Sequence, residues 1–565
     1  MKNRIGELCI VIVGMLILSG CSSPVSSPKG TPITLEGIAA DGNSGTETTD
    51  TLTLTFSADL STLTKDYITV KGATKGDLTG SGVTRTLSIS EITSKNGEKV
   101  TVTISNPPGF RISGASQEVT INVKDGERVF WARKVKSGDK SWYKVPATRK
   151  GSTSHCEVYV ADASLTGARA VSAATAQAIA TKFESSIHTP IQNKFDVVSD
   201  VDKDGKITLL LLDIVDDYDS ENNQHAFVGG YFDGTHLVSS AAYPNSNLTD
   251  MLFVDTDPQD PGSNGFYQTL AHEFQHLINF NHNYIQGGRR QADTWINEGL
   301  STAAEYFYNN GHVQSRISYY NSTQYNNAIK NGAYFFNWQP SWTTDKVASY
   351  ATVYLFFQWL RIQASNGDGI YKSIYAERNM NLASFLRAVT PQGVGTTWRD
   401  ILGKWFTANL FNNASGLYGY KGEITLNAPA RSVSATRKFD LFPGEAVYIQ
   451  KTATDEFSPT AQGNIAHIGL NTTSKQIDEA TPFEGDYHLV YNYNDNKSGS
   501  KVAAQIPTGS VSPSLSASHS HIPSSSFSTP QSTEIWPIDI VFDPSGPSGA
   551  TGESADSASQ TKAQH

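Results

Sequence analysis

Apolar and polar residues alternate along residues 33–124, in short runs separated by segments rich in Gly, Asn and Asp. A period of two is typical of strands with one buried face, and turn-rich spacers between short strands favour a sandwich of the immunoglobulin-like type. The sequence therefore predicts an immunoglobulin-like β module over residues 33–124, which contains no histidine. The alternating runs are Leu52/Leu54/Phe56, Ile68/Val70, Leu87/Ile89, Val100/Val102/Ile104 and Val119/Ile121/Val123.

Residues 128–424 change from strand patterns to helical patterns. The run 206–214 is almost continuously apolar, which predicts a central strand buried on both faces. Other predicted strands are 142–145, 156–160 and 251–254, and the predicted helices are 174–191, 299–309, 348–363, 382–389 and 398–410. A sheet followed by helices predicts an α+β domain.

The segments after this domain differ in character. Residues 425–510 contain short strand patterns at 446–450, 465–470 and 487–493, which predict a small C-terminal β domain. Residues 511–565 are rich in Ser, Pro, Gly and Thr, and we expect a disordered low-complexity tail. One apolar island at 535–542 has the composition to add a strand to a neighbouring domain. The chain of 565 residues is therefore multidomain.

The amino terminus has the pattern of an export signal over residues 1–20. Lys2 and Arg4 precede an apolar core, 8–18, that is too short to span a bilayer. The sequence Leu18-Ser-Gly-Cys21 resembles the bacterial lipobox, which implies cleavage before Cys21 and lipid attachment to it. Residues 21–32 then form a flexible tether. We expect an exported lipoprotein anchored to a membrane of the bacterial cell envelope; an ordinary cleaved signal with an incidental cysteine is the alternative.

The formal net charge of −10 argues against a nucleic-acid partner, because such binding relies on basic surfaces.

The candidate catalytic residues lie in a helical segment, Ala271-His-Glu-Phe-Gln-His276. Residues four apart share one helix face, so His272 and His276 are able to bind one metal ion. Glu273 is then placed to act as general base on a water in the open coordination position.

A hydrolytic zinc site needs a third protein ligand, and two candidates follow His276. Glu298 lies in Trp295-Ile-Asn-Glu-Gly-Leu-Ser301, where it opens the predicted helix 299–309. His282 completes H-E-x-x-H-x-x-N-x-x-H, a metzincin spacing with Asn279 in place of glycine. Metzincins also need a downstream Met-turn, and the sole downstream methionine is Met380, so Glu298 is favoured.

Two motifs, T-L-A-H-E-F-Q-H-L-I-N at 269–279 and W-I-N-E-G-L-S at 295–301, resemble those of the gluzincins. The chain is most similar to the hyicolysin-type metallopeptidases of bacterial envelopes, also at 207–214, 230–233 and 405–409. The resemblance covers about residues 128–425. It implies a zincin fold, Zn²⁺ held by His272, His276 and Glu298, and hydrolysis of protein or peptide substrates. A G-x-M-E-N motif is missing, which favours an endopeptidase over an aminopeptidase.

The same resemblance suggests residues around the metal. Tyr350 resembles the tyrosine that stabilises the oxyanion in relatives, with His312 and Tyr306 as alternatives. Thr302 and Glu305 share a helical face with Glu298, so either is placed to orient a ligand imidazole; Asn297 is a further candidate.

A second metal site is suggested by Asp200, Asp202 and Asp204, which with Gly205 resemble the start of an EF-hand calcium loop. Leu211 occupies the position where that loop needs glutamate, and a plain turn explains the same residues. Ca²⁺ is thus a candidate cofactor. The alternative hypothesis for the function of the chain is a surface-binding lipoprotein, an adhesin whose zincin domain is inactive or secondary.

Overall fold

The computed structural model describes residues 30–167, 169–222, 227–239, 242–322, 335–336, 338, 344–428, 438–451, 463–478, 485–495, 502–505 and 538–542. The chain divides into two compact units between Asp125 and Gly126. The predicted export signal at residues 1–20 and the predicted lipid-attachment residue Cys21 lie outside the described residues. Within the described ranges, no helix combines the length and the apolar character needed to cross a membrane.

The first unit is built of strands alone, apart from a single 3-10 turn at Lys65–Tyr67, in the part that is described. One sheet has the order β4-β5-β2-β1-β7 and the other β3-β6-β8, and both contribute to one hydrophobic core. The alternating runs supply that core because every second residue faces inward. The strands are β1 (Thr31–Ala40), β2 (Thr51–Phe56), β3 (Ile68–Lys71), β4 (Thr74–Thr79), β5 (Thr84–Ser90), β6 (Lys99–Ile104), β7 (Phe110–Ser113) and β8 (Ser116–Thr120).

The second unit contains a mixed sheet of seven strands, in the order β21-β13-β14-β12-β11-β10-β9. The strands β11, β12 and β14 run parallel, and their other neighbours pair antiparallel. The members are β9 (Glu127–Arg133), β10 (Trp142–Ser152), β11 (Cys156–Ala161), β12 (Ile207–Leu212), β13 (Phe227–Phe232), β14 (Met251–Asp255) and, from the far end of the chain, β21 (Ile538–Phe542).

The central strand β12 is buried along its whole length, as its continuous apolar run predicts. Leu209 and Leu211 face the core formed with the helices, whereas Leu210 and Leu212 belong to a second core that includes residues of β9 and β10. Both faces of β12 are buried, so the usual alternation of polar and apolar residues is absent here.

In the described residues, the α-helices of this unit are α1 (Ala173–Phe183), α2 (Thr189–Lys194), α3 (Asn264–Phe280), α4 (Thr294–Asn309), α5 (Gln314–Asn321), α6 (Thr344–Gln363), α7 (Gly369–Tyr375), α8 (Leu382–Val389) and α9 (Trp398–Phe411). A π-helical turn, Glu184–His188, joins α1 to α2, so the helix predicted over 174–191 is one interrupted segment. The fold is a mixed α and β protein with α3 packed between the sheet and α4.

The strands after residue 425 contribute side chains to the main hydrophobic core of the second unit. They are β15 (Lys438–Leu441), β16 (Ala446–Gln450), β17 (Ile465–Asn471), β18 (Gln476–Asp478), β19 (Tyr487–Asn492) and β20 (Val502–Gln505). Tyr448 and Tyr491 belong to the same hydrophobic core as Phe406 of α9, and the Tyr448 hydroxyl donates a hydrogen bond to the Phe406 carbonyl at 2.6 Å. This region therefore packs as part of the second compact unit.

Within the predicted low-complexity tail, the structure describes one strand. Residues Ile538–Phe542 form β21, which pairs antiparallel with β13. This strand falls within the apolar island at 535–542, whose composition indicated an added strand. Residues 511–537 and 543–565 lie outside the described residues.

Candidate metal centre

The helix α3 carries the first half of the site. Ser263 caps it, because the Ser263 hydroxyl accepts a hydrogen bond from the Phe266 amide. From Thr269 to Asn279 every residue of the helix is buried, since sheet and helices enclose it on all sides. The rings of His272 and His276 lie on one face, with their centroids 4.7 Å apart.

The helix α4 carries the second half, and it starts earlier than the sequence indicated. It begins at Thr294 rather than at Gly299, so Glu298 lies inside the helix instead of at its opening. Gly299 looked like a helix boundary, but its role is to let two helices approach. A Cβ at Gly299 would lie 2.2 Å from Cε2 of Phe357 on α6. Because Gly299 has no side chain, α6 is able to pack closely against α4.

Three atoms on α3 and α4 converge as metal ligands. Oε2 of Glu298 lies 3.2 Å from Nε2 of His272 and 3.3 Å from Nε2 of His276, and all three residues are buried. Two ligands that each lie about 2.0 to 2.1 Å from a zinc ion at the tetrahedral angle are about 3.3 Å apart. The spacing and the two-nitrogen, one-oxygen donor set both fit zinc.

The opposite ring nitrogens are held by hydrogen bonds from α4. Nδ1 of His272 lies 2.8 Å from Oε1 of Glu305, and Nδ1 of His276 lies 3.1 Å from Oδ1 of Asn297. With an oxygen acceptor at Nδ1, the proton is on that atom and the Nε2 lone pair is directed at the metal position. Glu305 and Asn297, both candidates from the sequence, therefore each contact the Nδ1 atom of one of the two histidines.

Thr302 does not have the role that its position on the helix suggested. Its hydroxyl donates to the carbonyl oxygen of Gly299 at 3.0 Å, within the same helix. The neighbouring Ser301 faces α3 instead, with its hydroxyl 3.0 Å from Nδ1 of His276 and a hydrogen bond to the side chain of Gln275. Ser301 lies three residues after Glu298 and so shares its helical face, although the sequence analysis did not single it out.

Arg316 is a second residue that sequence reasoning missed. This buried side chain on α5 donates to both carboxylate oxygens of Glu305, at 3.2 Å from Nε and 2.8 Å from the terminal nitrogen. Burial alone raises the pKa of Glu305, but the guanidinium and His272 outweigh it and hold the pKa below its usual value. The guanidinium carbon also lies 5.3 Å from the centre of the Tyr350 ring, a cation–π contact. No sequence motif predicts this contact, because it depends on how the turn between α4 and α5 places Arg316.

The candidate general base, Glu273, lies where α3 packs against β13. A Cβ at Gly230 of β13 would lie 2.7 Å from Cγ2 of Thr269 and 3.3 Å from Cγ of Glu273. The glycine lets the helix approach the strand closely. The backbone of β13 at Gly230 therefore packs directly against the side chain of Glu273.

Tyr350 packs near a metal ligand, whereas the two alternatives contact each other and Glu423. The Tyr350 ring on α6 is buried, with its centroid 5.7 Å from that of His272. Tyr306 and His312 instead pack on each other at 5.2 Å, and Nε2 of His312 lies 3.2 Å from the carboxylate of Glu423. The structure thus brings Tyr350 to the centre.

The metzincin alternative requires His282 as the third metal ligand, and the structure does not place His282 with the other two histidines. The helix continues through Asn279 without the break that a left-handed residue would give, so the chain does not turn His282 back towards the other two histidines. Nδ1 of His282 lies 2.7 Å from the carboxylate of Asp196, and the cluster that forms contains Glu298.

The three aspartates predicted to bind calcium also lie together. One carboxylate oxygen from each of Asp200, Asp202 and Asp204 lies within 4.8 Å of the others, in a loop that is largely exposed. Two of the carboxylates accept backbone hydrogen bonds within the loop, Asp200 from Gly205 and Asp204 from Lys206. The geometry is shared by a calcium loop and by a plain turn, so calcium stays a prediction.

No family model matches the chain. It is 29% identical over 349 residues to the Neutral metalloprotease ShpI of Staphylococcus hyicus, and the alignment covers 59% of this chain and 71% of that protein. Together with the cluster of His272, His276 and Glu298, this similarity supports a relationship to a metalloprotease family.

Proposed function

We propose that the chain is a zinc-dependent endopeptidase of the gluzincin type that hydrolyses peptide bonds within proteins. The observation that carries this proposal is the convergence of His272, His276 and Glu298 at zinc spacing, with Glu273 directly after the first histidine. The similarity to a neutral metalloprotease supports the same activity.

The proposed mechanism assigns a task to each residue. Zinc, when bound, supplies a Lewis acid that polarises the substrate carbonyl and lowers the pKa of a water molecule. Glu273 accepts a proton from the attacking water on its carboxylate and transfers it to the departing amine nitrogen. The Tyr350 hydroxyl donates a hydrogen bond to the carbonyl oxygen as that oxygen gains charge. Glu305, Asn297 and Ser301 keep the two imidazoles in place, so little reorganisation is needed during the reaction.

Two further parts of the proposal concern location and stability. We propose that Cys21 carries lipid and anchors the protein to the bacterial envelope, on the basis of its lipobox-like sequence. Calcium at Asp200, Asp202 and Asp204 is proposed as a structural ion, because their oxygens lie close enough to share one cation.

The decisive variant for the activity is Glu273→Gln, which keeps the size of the side chain and removes the base. We expect the wild-type protein to cleave a labelled, denatured protein, and chelation to abolish the cleavage. Glu273→Gln should lose at least about 100-fold in rate while it retains bound zinc, since general base catalysis contributes about 100-fold or more. Glu118→Gln, a variant of an exposed glutamate in the first unit, is the control and should be fully active. Absence of both zinc and cleavage in the wild type would reject the peptidase in favour of a binding protein.

A further inference from the structure

The C-terminal strand β21 runs beside the metal centre. Its register with β13 places Ile540 opposite Gly230, the residue that packs against the side chain of Glu273. Cα atoms of β21 also lie within 8 Å of Cα atoms in α3 and in α6, the helices that carry His272 and Tyr350. Three elements of the candidate site, β13, α3 and α6, therefore surround this short strand.

We propose that the chain's own segment Ile538–Phe542, which pairs with the edge of β13, is a built-in competitive inhibitor of the candidate site. This inference rests on the proposed peptidase function, and it assigns a self-limiting control to that site. An extended substrate and β21 require the same backbone groups of β13, so they bind in competition.

The hydrogen-bonding capacity of β13 explains why an extended chain fits. One edge of β13 is paired with β14, through Gly230↔Val254 and Tyr231↔Phe253. The other edge presents its amide and carbonyl groups to β21. An edge strand without a partner is a template for any extended peptide, because the pairing uses main-chain groups and accepts many sequences. A strand docked there runs past Gly230, the residue of β13 that packs against the side chain of Glu273.

The strand β21 limits substrate binding because it belongs to the same chain as β13. Dilution does not weaken an intramolecular competitor, whereas an added substrate competes in proportion to its concentration. The strand has only five residues, so its pairing is short and open to displacement. The expected behaviour is a raised KM for polypeptide substrates with an unchanged kcat.

The test compares Ile540→Pro with Ile540→Val in the full chain. Proline removes an amide hydrogen and fixes φ, which breaks strand pairing, whereas valine keeps strand propensity. Hydrogen exchange of the β13 amides at 228–232 reports the pairing directly. We expect exchange there to accelerate at least about tenfold in Ile540→Pro and to stay at the wild-type rate in Ile540→Val. KM for a denatured protein should fall several-fold in Ile540→Pro alone.

A synthetic peptide covering residues 535–543 gives a second measurement that does not depend on the variant. Added to Ile540→Pro, it should restore protection of the 228–232 amides and raise KM. Unchanged exchange in Ile540→Pro, or accelerated exchange with an unchanged KM, would overturn the proposal. Absence of cleavage in every variant would reject the peptidase, and the exchange and peptide measurements would still decide whether β21 docks on β13.

Discussion

Arg316 offers a sharp test of how the metal centre is built, because its effect passes through two buried contacts. Replacement with methionine keeps most of the side-chain volume and removes the charge. The carboxylate of Glu305 then loses both hydrogen bonds from the guanidinium, at 3.2 and 2.8 Å, in a site where water does not replace them. Breaking one side of a buried ion pair costs about 3 to 5 kcal/mol in the free energy of unfolding.

The same change reaches the metal. Glu305 holds Nδ1 of His272 at 2.8 Å, and it does so as an ion that Arg316 neutralises. Loss of such a supporting contact lowers metal affinity by about 10- to 100-fold. We therefore expect Arg316→Met to be destabilised as metal-free protein and to bind zinc more weakly. The double variant Arg316→Met/Glu305→Gln should recover most of the stability, because no unpaired charge is left.

Urea unfolding of the chelator-stripped protein measures the first effect, and zinc competition with a chromophoric chelator measures the second. Arg387→Met is the matched control, since Arg387 forms a partly exposed ion pair with Glu377 and such pairs contribute no more than about 1 kcal/mol. An Arg316→Met protein that matches this control in both stability and zinc affinity would refute the reasoning.

The remaining predictions concern the packing of α4 and the pH dependence of folding. Gly299→Ala forces a Cβ to 2.2 Å from Cε2 of Phe357, so urea unfolding should show a loss of about 1 to 3 kcal/mol. Gly265→Ala on α3, where a Cβ meets nothing within 4 Å, should cause no loss, and equal losses would contradict this account of the packing. Burial raises the pKa of Asp250 from 3.8 to about 6, against hydrogen bonds from Ser199 and Val201. The folded state therefore holds this proton more tightly than the unfolded state, and stability should fall by up to about 3 kcal/mol between pH 4 and 6. Asp250→Asn should flatten that slope in unfolding curves taken across this range, and an identical slope would refute the assignment.

The parts of the site that could be predicted from the sequence are those encoded by local spacing. His272 and His276 are four residues apart on one helix, so their shared face follows from helix geometry alone. The buried strand β12 could be predicted equally well. Both of its faces lie in apolar cores, so its sequence is an almost continuous apolar run.

The parts that were missed depend on which elements meet. Gly299 has the signature of a helix boundary, and only the approach of Phe357 shows that it is a packing position. Ser301 lies three residues after Glu298, so helical spacing was a signal that could have found it. Arg316 contacts the site because of the way α5 packs beside α4, which periodicity does not encode. The apolar composition of β21 suggested a strand. Its partner β13 could not be predicted, because the two strands are far apart in the sequence and no local pattern links them.

The most direct measurement of the central claim is an anomalous difference map, collected at the zinc edge from crystals of the Glu273→Gln variant. The expected result is one peak about 2.0 to 2.1 Å from Nε2 of His272 and Nε2 of His276 and about 2.0 to 2.2 Å from the carboxylate of Glu298. A peak coordinated by His282 in place of Glu298, or no peak at these residues in a crystal grown with zinc, would contradict the account.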